Sequence, residues 1–243
     1  MELVKEYEIT RIEQDTIQMV NDKVIVEHNL DLYLNNRLFC KFLCAPNNLE
    51  ALIYGHLFTQ GIIRHKSHVK NLVIHDTQAQ VVLQSGLDPD NPIFRVDLVH
   101  SLPVQILQAD QVFSAVEIFD HESSLFASTG GVHSCALCHT DGRRIFMEDI
   151  GRHNAIDKAF GRALLEAWDV SRAFLITSGR VPEDAIVKAL TTGLPIVISR
   201  SAPTHAAVDL ARRSNITLCG FARGRRMNIY SAPERIRITL LAH

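Results

Sequence analysis

No stretch of this 243-residue chain holds eighteen consecutive apolar residues, which excludes a conventional membrane-spanning helix. A secretory leader is not expected either. The opening MELVKEYEITRIEQD is acidic and periodic, so a cytoplasmic protein is expected. Cysteine is sparse, five in all, and in a reducing compartment these are expected as free thiols. There is no basic excess either: the formal net charge is −2, too low to argue for a nucleic-acid groove. Neither nucleic acid nor membrane is therefore expected among the partners. What remains is 47% hydrophobic, enough to bury the core of one large or two modest domains.

The small net charge hides an asymmetry. Residues 1–120 hold 9 Lys/Arg against 16 Asp/Glu, whereas residues 121–243 hold 16 against 11. Fourteen of those sixteen later cations are arginine. The planar guanidinium suits bidentate contact with phosphate or carboxylate better than the lysine ammonium does.

The pattern predicts two regions, an α+β domain over 1–112 and a second domain over 113–243. Strand-like stretches lead, including Lys23–Val26 and Leu30–Phe42 with a turn at Asn35-Asn36. Asn47-Asn48 offers an N-cap for a helix from Leu49 to about Gln60, with Gly61 as its stop. Strands follow around Val69–Ile74 and Val81–Leu83, then a loop at Gly86–Pro92. A helix is predicted from Ser101-Leu102-Pro103 to about Phe126. After residue 150, helices over Asn154–Trp168, Asp184–Thr192 and His205–Arg213 alternate with strands over Ala173–Thr177, Pro195–Ser199 and Thr217–Phe221. That alternation indicates an α/β fold with parallel strand pairs. The three strands lead into polar loops at 178–180, 199–204 and 221–226, and loops at the carboxyl ends of parallel strands share one edge of the sheet. Arg180, Arg200, Arg223, Arg225 and Arg226 should thus gather at one rim, as an anion site suited to phosphate or pyrophosphate.

The densest polar chemistry lies in Gly130–Lys158, GGVHSCALCHTDGRRIFMEDIGRHNAIDK. It reads as a strand over His133–His139, a turn at Thr140–Arg143, a second strand from Arg144, and a helix from Asn154. Gly130, Gly131, His133, Arg152 and His153 fall where α/β proteins place sites, with Glu148 and Asp149 beside them.

With those residues in view, the chain resembles the FdhD family, the formate dehydrogenase accessory sulfurtransferases. The resemblance rests on APNNLEALIYGHLFTQGII (45–63), STGGVHSCAL (128–137), EDIGRHNAIDK (148–158), TSGR (177–180), SAPTHAAVDLA (201–211) and ITLCGFARGRRMNIY (216–230). It implies a mixed α/β protein whose C-terminal domain has a cytidine-deaminase-like α/β/α fold, assembled as a homodimer. It also implies sulfur transfer from a cysteine desulfurase to the molybdenum or tungsten bis(molybdopterin guanine dinucleotide) cofactor, carried as cargo for formate dehydrogenase. GDP would mimic part of that cargo. The family's cofactor segment falls on Phe221, Ala222, Arg223, Gly224, Arg225 and Arg226. Ser178, Gly179, Arg180, Ser201 and Thr204 join it from the neighbouring loops, with Gly130, Gly131, Arg152 and His153.

One departure stands out. Many members carry sulfur on a Cys-Gly-x-Cys-Gly loop, yet residues 84–100 here, QSGLDPDNPIFRVDLVH, hold no cysteine. The chain offers Cys135 and Cys138 instead, which with His133 are its catalytic candidates. As a CxxC pair they fit three roles: packing in a strand, persulfide carriage, or metal ligation. Residues three apart on a strand point to opposite faces, so at most one of them should face a site. Cys40, Cys44 and Cys219 read as packing residues. Cys135–His139 spells a haem-attachment signature, but that chemistry needs export. The positions matching a zinc deaminase's ligands, RHNA (152–155) and SGRVPED (178–184), lack its cysteines, so a nucleoside hydrolase is disfavoured and no metal set is expected. The alternative to a sulfurtransferase is a cofactor-binding chaperone for formate dehydrogenase without a relay of its own.

Overall fold

The computed structural model describes residues 1–90 and 105–238. Strands β1 (Val4–Glu13) and β2 (Thr16–Ile25) form an antiparallel ribbon that stands as its own two-stranded sheet. Strands β3 (His28–Leu34) and β4 (Arg37–Cys44) meet at Asn35-Asn36, where both residues take positive φ, 48° and 66°. Asparagine tolerates that left-handed geometry, and a hairpin of this twist requires it. With β5 (Val69–His75) and β6 (Gln78–Leu83) they make a four-stranded sheet ordered β4-β3-β6-β5.

Helix α1 (Leu49–Thr59) has no polar stripe because it is covered on both sides. Leu30, Leu32 and Leu34 of β3 pack in one cluster with its Leu52, Ile53 and Leu57. On its other side, a Cβ added to Gly55 would overlap the carbonyl of Asp157, and one added to Gly161 would overlap that of Ala51. Glycine at both points lets the backbones of α1 and α4 (Arg152–Leu165) touch. The predicted cap is only partly correct. Asn48 sits at the N-cap with φ 51° and its side chain makes no cap bond, while Asn47 spends its Oδ1 on Lys158 Nζ at 2.9 Å. Gly61 ends the helix at φ 74°, as expected.

The second sheet has six strands, ordered β13-β12-β11-β10-β8-β9. Here β8 is His133–His139, β9 Arg144–Asp149, β10 Ala173–Thr177, β11 Ile196–Ser199, β12 Thr217–Arg223 and β13 Arg226–Ser231. The pairs β10/β11 and β11/β12 are parallel, as their connecting helices α5 (Glu183–Thr192) and α6 (His205–Arg213) dictate. Strand β8 runs antiparallel to β10. A short parallel pair, β7 (Leu107–Gln108) with β14 (Ile236–Arg237), lies apart from it.

Alternation along the strands divides the core into layers. On β10, Leu175 joins the large cluster shared with α1, α4, α5 and α6, whereas Phe174 and Ile176 turn to the other face. There they meet Val112, Val116 and Phe119 of α2 (Ala109–Glu122). Each such side chain, wholly removed from water, contributes roughly 1.5–3 kcal/mol. Residue 112, where the sequence divides, lies within α2, and the large cluster joins residues on both sides of that point.

Two expectations need correction. The helix predicted to reach Phe126 breaks at Ser123 (φ −80°, ψ 94°), whose side chain accepts from Phe126 N and starts a new helix, α3 (Ser124–Thr129). Its predicted start at Ser101–Pro103 lies outside the described residues. The basic segment 221–226 is no loop: β12 runs on to Arg223, and Gly224 at φ 54° turns the chain into β13. No helix among the described residues is long and apolar enough to cross a membrane.

Candidate functional site

Three strands end side by side and deliver their turns to one place. Thr177 closes β10, and Ser178 N then donates to Ser134 O at 3.0 Å. Ser134 N in return donates to Ser178 Oγ at 2.9 Å, which ties β8 to this turn. Ser199 closes β11, and its hydroxyl donates to Gly179 O at 2.8 Å. From β12, Phe221 N reaches Ser201 O at 3.0 Å, at the cost of a left-handed φ of 53°. A bulky residue held there is strained, and the register of β12 and β13 shifts at the same place.

Around these turns lies a pocket of about 530 Å3. Gly130, Gly131, His133, Ser178, Arg200 and Arg223 line it, all from the segments the sequence singled out. Glycine is needed here for room: a Cβ on Gly179 would sit 3.1 Å from Arg152 Cβ, and one on Gly131 would press on Ile25 at 2.7 Å. Gly130 takes φ 63° and ends α3.

The cations have few protein acceptors. Arg200 Nε lies 2.8 Å from Asp120 Oδ1, but neither atom is aligned for a hydrogen bond. Arg152 Nε is likewise buried without an acceptor. Arg223 Nε donates to Arg200 O at 3.2 Å, which leaves its terminal nitrogens for solvent. Burial, and then Arg152, lower the His133 pKa and keep the ring neutral. Burial raises the Asp120 carboxyl against the pull of Arg200, His121 and Arg223. Such a pocket offers donors and cationic groups to an anion.

Several predicted residues stand elsewhere. Arg180 and Arg226 are exposed outside the pocket, and Arg225 pairs with Asp110 at 2.5 Å above the Phe113 ring. Thr204 caps α6 by accepting from Ala207 N, and Ala222 is fully buried. Ser201 contributes its backbone to the turn. His153 turns to the far side of α4, 3.2 Å from Asp184.

Cys135 and Cys138 are buried on opposite faces of β8, in different clusters, so the sequence's geometric expectation holds. Neither lines the pocket. Burial pushes the Cys135 thiol far up and the Cys138 thiol up to about 11, so both rest protonated. As placed, at 0% and 7% exposure, neither is open to a sulfur donor.

The acidic residues of the central motif are structural. Asp149 and Lys158 form a fully buried pair at 2.6 Å. Asp149 also accepts from Ala45 N, Gly151 N and Asn154 Nδ2 at 2.9–3.0 Å, which fixes the turn from β9 into α4. Glu148 accepts from Ser123 Oγ and anchors the α2–α3 break. The sequence missed the wall that this break supplies, Phe119, Asp120, Ser123 and Phe126. The only signal was a serine inside an apolar helical pattern.

The comparisons agree with this architecture. The FdhD/NarQ family model matches residues 25–97 and 93–237. A relative from Listeria monocytogenes serotype 4b (strain F2365), named sulfur carrier protein FdhD, is 34% identical over 97% of this chain and 100% of its own length. The Bacillus subtilis (strain 168) protein of that name is 32% identical over 95% and 96%. A crystal structure from Desulfotalea psychrophila, described as a formate dehydrogenase accessory protein, superposes with a TM-score of 0.84 at 28% identity, covering 97% of this chain and all of that one. On the matched blocks and on near-complete coverage of both chains, this chain belongs to the FdhD/NarQ family.

Proposed function

We propose that the pocket between Gly130 and Arg223 holds the guanine-nucleotide end of a bis(molybdopterin guanine dinucleotide) cargo, and that the chain acts as a sulfur carrier in formate dehydrogenase maturation. The observation that carries the reading is the convergence of three strand-end turns, with Arg200 and Arg223, on a glycine-lined cavity of about 530 Å3. A pyrophosphate suits that site for a simple reason. Each guanidinium carries five donors, and Arg200 has one carboxylate and Arg223 one backbone carbonyl to meet them, so donors and charge are left for an anion. The cargo is the substrate in this scheme. Gly130 and Gly131 line the cavity, Arg200 and Arg223 supply the charge, and neutral His133 offers a ring nitrogen beside them.

A second reading, a cofactor-holding chaperone without its own relay, is favoured by one observation. Four of the five thiols are buried, and residues 84–104 contain no cysteine. We further propose that a second copy of the chain covers the β1–β2 ribbon. Tyr7, Ile12, Ile17 and Met19 are 52–73% exposed on it, and a lone two-stranded ribbon is marginally stable at best.

Purification from a host that makes the cofactor tests the cargo. We expect guanine nucleotide, released by acid, to copurify with the wild type and to fall well below equimolar in Arg200→Ala/Arg223→Ala. Wild-type protein free of nucleotide would contradict the reading.

A further inference from the structure

Four thiols are shut in the core: Cys44, Cys135 and Cys219 are 0% exposed and Cys138 7%. Cys40 alone is half-buried. It stands on β4 and lines a second cavity, of about 520 Å3, between β4, α1, α4 and α5. Sharing that cavity are His56, His153, Asp157, Asp184 and Lys188. Asp157 is the hub of this group. It accepts from Lys188 Nζ at 2.5 Å and Thr59 Oγ1 at 2.8 Å, and lies 3.0 Å from His56 Nδ1. An ionised carboxylate only accepts, so Nδ1 donates in this contact and Nε2 is the ring nitrogen left to take up a proton. Carboxylate, oriented imidazole and thiol thus share one solvent-connected cavity, an arrangement suited to thiol chemistry.

We infer that this cavity is where the chain accepts sulfane sulfur, on Cys40, from the cysteine persulfide of a donor protein. The inference rests on the sulfur-carrier reading and deepens it by naming the acceptor. In the step, Cys40 Sγ attacks the outer sulfur of the donor persulfide, forming a new S–S bond. The donor's own S–S bond breaks, and its cysteine leaves as thiolate. The proton of Cys40 passes to His56 and on to that thiolate, so no oxidant or reductant is consumed. A base is required because the resting thiol is protonated: burial, then Asp157 and Asp31, push it up to about 12 against the pull of Lys188.

The second cavity also lies next to the first. Arg152 packs beside Gly179 and His133 on the nucleotide side, while His153 and Asn154, the following residues of α4, line the Cys40 cavity. The first turn of one helix therefore separates the accepting thiol from the proposed cargo.

The test uses the full chain with a purified bacterial cysteine desulfurase and radiolabelled cysteine as the persulfide source, followed by peptide mapping. We expect the label on Cys40 in the wild type and none in Cys40→Ala, with wild-type GDP binding kept. Labelling of Cys40 in His56→Gln should slow about tenfold or more and recover in part with added imidazole. Label on any of the other four cysteines would overturn the inference and leave the carrier reading standing. No label anywhere, with GDP binding intact, would sink the carrier reading itself and establish the chaperone.

Discussion

The two cavities flanking the first turn of α4 contain similar residue types in opposite states. In the Cys40 cavity, Asp157 is 2% exposed and is matched by a lysine, a histidine and a hydroxyl. In the arginine-rimmed pocket, Asp120 and Arg200 stand 20% and 33% exposed, close in distance but poorly aligned. The first set is a finished network that holds α1, α4 and α5 together. In the second, Arg200 meets a single carboxylate, Asp120, and Arg223 one backbone carbonyl, so a ligand anion competes with one partly exposed acid. Charge alone therefore does not identify an anion site; a cation with hydrogen-bonding capacity to spare does.

Breaking the finished network should have the largest effect. Asp157→Ala leaves Lys188 and His56 buried without their acceptor, and should lower stability by about 3–5 kcal/mol in urea unfolding. The pH dependence follows in sign. Burial would raise the Asp157 carboxyl, but Lys188 and His56 overcome it and hold the pKa at about 2, below its ordinary 3.8. The pair's contribution is thus complete above about pH 4 and is lost as pH falls through the folded value near 2. Between those limits the wild type should lose melting temperature more steeply than Asp157→Asn. Equal slopes would place the network's strength elsewhere.

A smaller loss is expected where no charge is involved. Gly161→Ala forces α4 off the Ala51 carbonyl of α1, and should cost about 1–3 kcal/mol by the same measurement. A neutral result would mean that the helices separate easily and that the Cys40 cavity is not rigid.

Smallest of all should be Asp120→Asn, which removes a partly exposed partner at under about 1 kcal/mol of stability. By freeing Arg200 it should strengthen GDP binding severalfold in a titration. Weakened binding would show that Asp120 positions the arginine rather than competing for it.

Most of the fold was legible because its signals are local. Asn35-Asn36, Gly61 and the alternation of helix and strand after residue 150 each state their own geometry. The break at Ser123 was not legible, since the serine caps α3 only once Glu148 from a distant strand holds its hydroxyl. Nor was the hairpin at Gly224, because FARGRR reads as a polar loop until β13 pairs beside it. Among the site residues, Gly130, Gly131, His133, Ser178, Arg200 and Arg223 come together because strand ends converge in any sheet of this topology. Arg225 and Arg226 resemble Arg223 in sequence and differ only in where a two-residue turn directs them. The role of the cysteines stayed open for a related reason: a CxxC spacing says nothing about burial, and β8 is flanked by strands on both sides.

Calorimetric titration with GDP tests the central claim most directly, applied to the wild type and two paired variants. Arg200→Ala/Arg223→Ala removes cations that line the pocket, and Arg225→Ala/Arg226→Ala removes cations that do not. Each charged hydrogen bond lost should weaken binding by roughly 1.5–3 kcal/mol. The account predicts that the first pair abolishes measurable binding and that the second leaves it within about threefold of wild type. Equal losses in both variants, or no binding by the wild type, would contradict it.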